Sequence, residues 1–133
     1  MSGAGLIGCK MFLEIKGQCP SGKNQMKIDP RSGRHYPNPR FAAWRDQAVL
    51  ELRSQWNGKK PIDKPVYIKI RYFKGDLRRR DVAGIEDAIC HTLEKAGVVE
   101  DDSLLGGDGR GFEFHNEIGV HNEPRVEIFL YLD

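Results

Sequence analysis

The stretch Asp81-Val-Ala-Gly-Ile-Glu-Asp-Ala-Ile-Cys-His-Thr-Leu-Glu-Lys-Ala96, closed by Gly97, decides the reading of the chain. Its apolar residues Val82, Ile85, Ile89, Leu93 and Ala96 recur at helical spacing, and a glycine ends the run, so it predicts a helix from about Asp81 to Ala96 with one face turned to a core. Upstream, residues 66–73 alternate β-branched and aromatic side chains with polar ones, the pattern of a strand. The breaker Asn57-Gly58-Lys59-Lys60-Pro61 separates that strand from a first helix. This helix has Asn38 as its cap, Pro39 at its first position, and Phe41, Trp44, Ala48 and Leu52 on one stripe through to about Trp56. Residues 11–16 alternate and stop at Gly17, which predicts the first strand. Two more strands are expected around 111–115 and 125–132. The order β, loop, α, β, α, β, β predicts an α+β (mixed α/β) domain, a single small sheet with two main helices packed on it.

A chain of 133 residues is expected to hold one domain. The boundaries expected are a flexible leader over 1–10 and a single domain over 11–133. No window is apolar for the length of a membrane span, and the N-terminus lacks the basic and apolar regions of a signal peptide, so a cytoplasmic protein without membrane association is expected. The cysteines Cys9, Cys19 and Cys90 form no Cys-x-x-Cys pair, and His35, His91, His115 and His121 lack the spacing that lets two imidazoles share zinc from a helix.

The net charge of +2 conceals a polarity along the chain. Residues 1–80 carry 18 Lys and Arg against 6 Asp and Glu, a balance of +12, whereas residues 81–133 carry 3 against 13, a balance of −10. The first half suits a polyanion and the second a task for carboxylates, the other reading being that the two halves interleave in the fold and neutralise each other.

Gln18 to Pro39 is rich in turn formers and bases and has no sustained periodicity, so a long loop is expected there. It carries Lys23, Asn24, Lys27, Arg31, Arg34, His35 and Tyr36, with Arg40 just beyond, and is expected to contact nucleic acid. Gly17-Gln-Cys-Pro-Ser-Gly22-Lys23-Asn24 nearly fits a phosphate-binding loop. Asn24 stands where a hydroxyl should ligate magnesium, and Pro30, Ser32 and Gly33 prevent the helix that would receive the phosphates, so no nucleotide cofactor is expected.

The segment from Lys74 through Arg78-Arg79-Arg80-Asp81, and on to Glu100-Asp101-Asp102, sets arginines beside carboxylates. Phosphodiester hydrolysis needs an activated water and a stabilised leaving oxygen, and nucleases meet the need with one or two Mg²⁺ held between carboxylates. A helix of about 15 residues spans roughly 22 Å, so the chain must fold back to bring Asp101 or Asp102 toward Asp81. Taken singly, Asp81 equally suits a helix N-terminus favoured by the dipole, and Asp101-Asp102 a solvated turn.

The segment resembles the RusA family of Holliday-junction resolvases, in the manner of a divergent, phage- or prophage-type member. That family carries a basic run, then D-x-D-N-x-x-K, then a helix ending in K-A-G and a D-D pair. Arg78-Arg79-Arg80-Asp81, Lys95-Ala96-Gly97 and Asp101-Asp102 fall at the family's spacing without a gap, and Pro20-Ser21-Gly22-Lys23-Asn24 is similar to its early P-S-x-N loop. The resemblance implies a homodimer acting in DNA recombination and repair, cutting four-way junctions with Mg²⁺ or with Mn²⁺ as its substitute. It puts the first acidic residue at Asp81 and the last at Asp102. The family's second metal-binding aspartate falls on Ala83, its asparagine on Gly84 and its catalytic lysine on Asp87, so three groups of the pattern are replaced.

Positions 83 and 87 lie four residues apart and share a helix face, which allows the missing carboxylate to have moved by one turn. On that reading Asp81, Asp87 and Asp102 form the metal site with Asp101 beside them, and His91 assists as ligand or proton carrier. An exposed helical pair of little consequence is the other reading of Asp87 and His91. A junction-binding protein that has lost catalysis, or a nuclease for flaps or forks, remain as alternatives to a resolvase.

Overall fold

The computed structural model describes residues 9–20, 26–76 and 81–132. The elements run β1 (Cys9–Lys16), β2 (Met26–Ile28), β3 (His35–Pro37), α1 (Pro39–Trp56), β4 (Tyr67–Phe73), α2 (Val82–Lys95), a 3-10 turn (Asp102–Leu104), β5 (Phe112–Asn116) and β6 (Arg125–Leu132). Four strands form one mixed sheet in the order β1-β6-β4-β5, and β2 and β3 pair by themselves. β6 is antiparallel to both neighbours, while β5 is parallel to β4. That parallel pair requires a crossover, which α2 supplies. The α+β fold expected from the sequence is the one observed.

The alternation in the strands divides the sheet into two faces. Leu13 and Ile15 of β1, Ile68, Ile70 and Tyr72 of β4, and Val126, Ile128 and Leu130 of β6 are buried on one of them. The apolar stripes of both helices join the same core: Trp44, Ala48 and Leu52 from α1, and Ile85, Ile89 and Leu93 from α2. At α1, Asn38 accepts a hydrogen bond from the Arg40 backbone N–H, and Asn57 at φ 56° ends the helix by donating to the Arg53 carbonyl. Among the described residues no helix is long and apolar enough to cross a membrane.

β1 is an edge strand, and α1 occupies part of its free edge. The Gln55 side chain accepts from the Glu14 backbone N–H at 2.8 Å and donates to the Glu14 carbonyl at 2.7 Å, and Glu51 accepts from the Lys16 N–H at 2.8 Å. An amide side chain thereby replaces a neighbouring strand and blocks further pairing at that point.

The stretch 18–39, read as an irregular loop, contains a β-hairpin, β2 against β3. Its turn explains why periodicity concealed it: Asp29 accepts from the Arg31 backbone N–H at 2.9 Å and from the Ser32 hydroxyl at 3.1 Å, and Gly33 takes φ +71°. The strands have three residues each, too short for an alternating pattern to register.

Candidate metal centre and nucleic-acid interface

The acidic residues at the end of the basic-to-acidic segment converge through the return of the chain after α2. Gly97 at φ +80° turns the backbone out of the helix. Residues 98–106 then run beside residues 62–66, held by four backbone bonds: Ile62 N–H to Val98 O, Glu100 N–H to Ile62 O, Val66 N–H to Leu104 O, and Gly106 N–H to Val66 O, of 2.7–2.9 Å. This laces Asp101 and Asp102 against the last turn of α2. There the Asp102 backbone N–H donates to the Glu94 carboxylate at 2.9 Å. Gly107 allows the loop to close, because a Cβ there would stand 2.5 Å from the Ser103 carbonyl oxygen.

The result is a group of three carboxylates. Ligand oxygens of Glu94, Asp101 and Asp102 lie within 4.8 Å of one another, with Asp101 exposed and the other two half-buried. Asp101 accepts from the Ser103 N–H at 2.8 Å, and this bond holds its carboxyl below the usual range, so it is ionised at neutral pH. Three oxygen donors at this spacing fit a hard divalent cation such as Mg²⁺ or Mn²⁺ and suit neither soft metals nor an anion.

Of the residues expected to form the metal site, Asp101 and Asp102 belong to this group. Asp81, Asp87 and His91 do not. Glu94 was not foreseen, since in sequence it is one exposed-looking position on a charged helix; its eight-residue separation from Asp102 carries no signal. Asp81 is the cap residue of α2 and makes no side-chain capping hydrogen bond, so its carboxylate is not committed to the helix. Asp81 and Glu94 stand at opposite ends of α2, about 20 Å apart along its axis. Between them Asp87 and His91 are exposed on the helix. Cys90 records how these acids surround the helix: burial first, then the charges of Asp102, Glu86 and Asp87, push its thiol up to about 12. Burial also raises the Glu86 carboxyl. Asp87 and Asp102 thus act on one thiol from two elements.

Of the expected DNA contacts, Lys23, Asn24, Arg78, Arg79 and Arg80 lie outside the described residues. Lys27, Arg31, Arg34, His35 and Tyr36 are exposed on the β2–β3 hairpin, and Arg40 is exposed at the start of α1. The Lys74 ammonium donates to Asn116 at 3.3 Å. The Gln18 side chain accepts from the Gly75 N–H at 2.6 Å and donates to the Tyr72 hydroxyl at 2.5 Å, tying the chain after β1 to the end of β4.

Comparison with known proteins bears on what such a site does. No protein-family model matches the chain. Over 96 residues it is 31% identical to a protein of Aquifex aeolicus (strain VF5) described as crossover junction endodeoxyribonuclease RusA, covering 72% of this chain and 71% of that one. The chain belongs to the RusA family. Asp102, which the sequence resemblance matched to the last acidic position of the RusA pattern, lies within the group of three carboxylates. Ala83, where the pattern has a second aspartate, is exposed on the first turn of α2.

Proposed function

We propose that the chain is a structure-specific endodeoxyribonuclease that resolves four-way DNA junctions as a homodimer, using Mg²⁺ or Mn²⁺. The observation that carries this reading is the gathering of Glu94 and Asp101 around Asp102 in a member of the RusA family. On this reading Asp102, Glu94 and Asp101 hold a divalent cation, Asp87 stands as a further acidic group along α2, and Asp81 acts at the far end of that helix beside the arginine run. The cation supplies electrophilic stabilisation of phosphate oxygens and lowers the pKa of bound water. The protein's own groups orient and exclude. The exposed cations of the β2–β3 hairpin, with Arg78, Arg79 and Arg80, bind phosphates without reading sequence, which makes affinity fall steeply with salt. His91 carries a proton to or from the reacting oxygens.

A homodimer follows from the substrate, because a four-way junction presents two strands related by a near two-fold axis and must be cut in both. Incubation of a synthetic four-way junction with the protein and Mg²⁺ tests the proposal: paired nicks in opposed strands are expected, with none from Asp102→Asn. Absence of nicking in both Mg²⁺ and Mn²⁺ would overturn it.

The replacements at Ala83, Gly84 and Asp87 favour a second reading, a protein that binds junctions without cutting them. It predicts a retarded junction in a gel and intact strands at every metal concentration.

A further inference from the structure

The loop between β5 and β6 holds two apolar side chains out in water on a fixed mount. Ile118 is 95% exposed and Val120 is 54% exposed, on either side of Gly119, whose φ of +94° makes the tight turn between them. Both feet of the loop are pinned. On the β5 side the Glu117 backbone N–H donates to the Tyr72 carbonyl at 2.9 Å, and the Glu117 carboxylate pairs with Arg71, also at 2.9 Å. On the β6 side the His121 N–H donates to the Lys74 carbonyl at 3.0 Å and the His121 ring stands edge-on to Phe73, 5.1 Å between centroids. Pro124 then packs so closely on Gly75 that a Cβ there would lie 2.5 Å from the proline ring. One exposed apolar residue is ordinary on a protein surface, whereas a β-branched pair presented from a loop braced at both ends is placed for a contact.

The surroundings of the loop say what it meets. Lys74 stands at its foot, where the ammonium donates to Asn116 at 3.3 Å and keeps two further protons for a phosphate oxygen. α1 runs antiparallel to β1, because Glu51 and Gln55 bond the backbone of Lys16 and Glu14 in that order. Its N-terminus, with Arg40 and the basic hairpin just before it, therefore lies beyond Lys16, at the end of the sheet where Lys16, Arg125 and Phe73 are neighbours and from which the loop springs. Of the loop's own carboxylates Glu117 is spent on Arg71, which leaves Glu123 among these cations. We propose that Ile118 and Val120 form an apolar wedge that packs against base faces at the branch point of junction DNA, with Lys74 on a neighbouring phosphate. A stacked duplex hides its base faces and a branch point opens them, so the wedge favours branched over linear DNA, while the phosphate contact serves both. The inference rests on the junction binding of the proposed function and names the residues that select the branch.

Gel competition between a four-way junction and linear duplex of equal length tests it on the full chain, with 2-aminopurine beside the branch point reporting unstacking by its fluorescence. The wild type is expected to prefer the junction and to brighten the probe. Ile118→Ser combined with Val120→Ser should lower that preference at least tenfold and abolish the brightening, while leaving the dependence of affinity on salt unchanged, since no phosphate contact is lost. Ile118→Leu, which keeps an apolar side chain, should retain both signals. Lys74→Ala should do the reverse of the double variant, reducing the slope of log affinity against log salt by about 1 and leaving the preference intact. A double variant with the preference and brightening of the wild type overturns the wedge and leaves junction binding standing. A loss shared equally by junction and duplex, together with a smaller species in sedimentation, overturns it in favour of a contact between copies of the chain. A wild type without preference for the junction overturns the wedge together with the reading it rests on.

Discussion

The Asp102 backbone N–H donates to the Glu94 carboxylate at 2.9 Å, joining the last turn of α2 to the loop that returns after it. Glu94 therefore accepts a backbone hydrogen bond and, on the proposed reading, also supplies one of three carboxylates to a divalent cation.

Those duties separate by substitution. Glu94→Gln keeps an acceptor for the Asp102 N–H and loses the charge, so it should leave the melting temperature near wild type while weakening Mn²⁺ binding and junction cleavage about tenfold or more. Glu94→Ala should add a loss of stability of about 1 kcal/mol from the unmade hydrogen bond. Equal melting temperatures and equal Mn²⁺ titrations for wild type and both variants would remove Glu94 from the site.

Asp87 distinguishes a carboxylate that has moved along α2 from an ordinary surface residue. Asp87→Asn is expected to lower cleavage of a four-way junction at least tenfold while leaving its retardation in a gel unchanged. Full activity in this variant would end the idea that Asp87 compensates for Ala83.

Gly107 is where the acid-bearing loop closes on itself. Gly107→Ala forces a Cβ toward the Ser103 carbonyl oxygen, which in the present backbone would be 2.5 Å away. Overpacking of this kind costs about 1–3 kcal/mol. Thermal unfolding should register that loss, and Mn²⁺ affinity should fall with it because Asp101 and Asp102 shift together.

The hairpin cations predict a salt signature. If Arg31 and Arg34 each neutralise one phosphate, changing either to alanine should reduce the slope of log affinity against log salt by about 1, equally for junctions of any sequence. A slope that neither substitution moves would remove the hairpin from the DNA surface.

Cys90 offers a chemical probe of the carboxylates around α2. With its thiol pushed up to about 12, by burial and then by Asp102, Glu86 and Asp87, it should resist alkylation at pH 8. The sign follows from charge: Asp102→Asn removes an anion, brings the thiol down, and should speed modification of the peptide containing Cys90 as measured by mass spectrometry. An unchanged rate would mean that burial alone protects the thiol.

What the sequence determined by itself was local. The cap at Asn38 with Pro39, the stripe from Val82 to Ala96 closed by Gly97, and the alternation in 66–73 and 125–132 each follow from backbone and side-chain preferences within one turn or one pleat, and they specify both helices and the sheet strands. The spacing of Asp81, Lys95-Ala96-Gly97 and Asp101-Asp102 was legible for the same reason, as a pattern along the chain. The hairpin was not, because its strands are too short to repeat and its turn depends on Asp29 bonding to its neighbours. The partnership of Glu94 with Asp102 was decided only in the tertiary structure. It depends on residues 98–106 being laced to residues 62–66, about 40 positions apart, and no local preference encodes where a returning loop will lay its carboxylates.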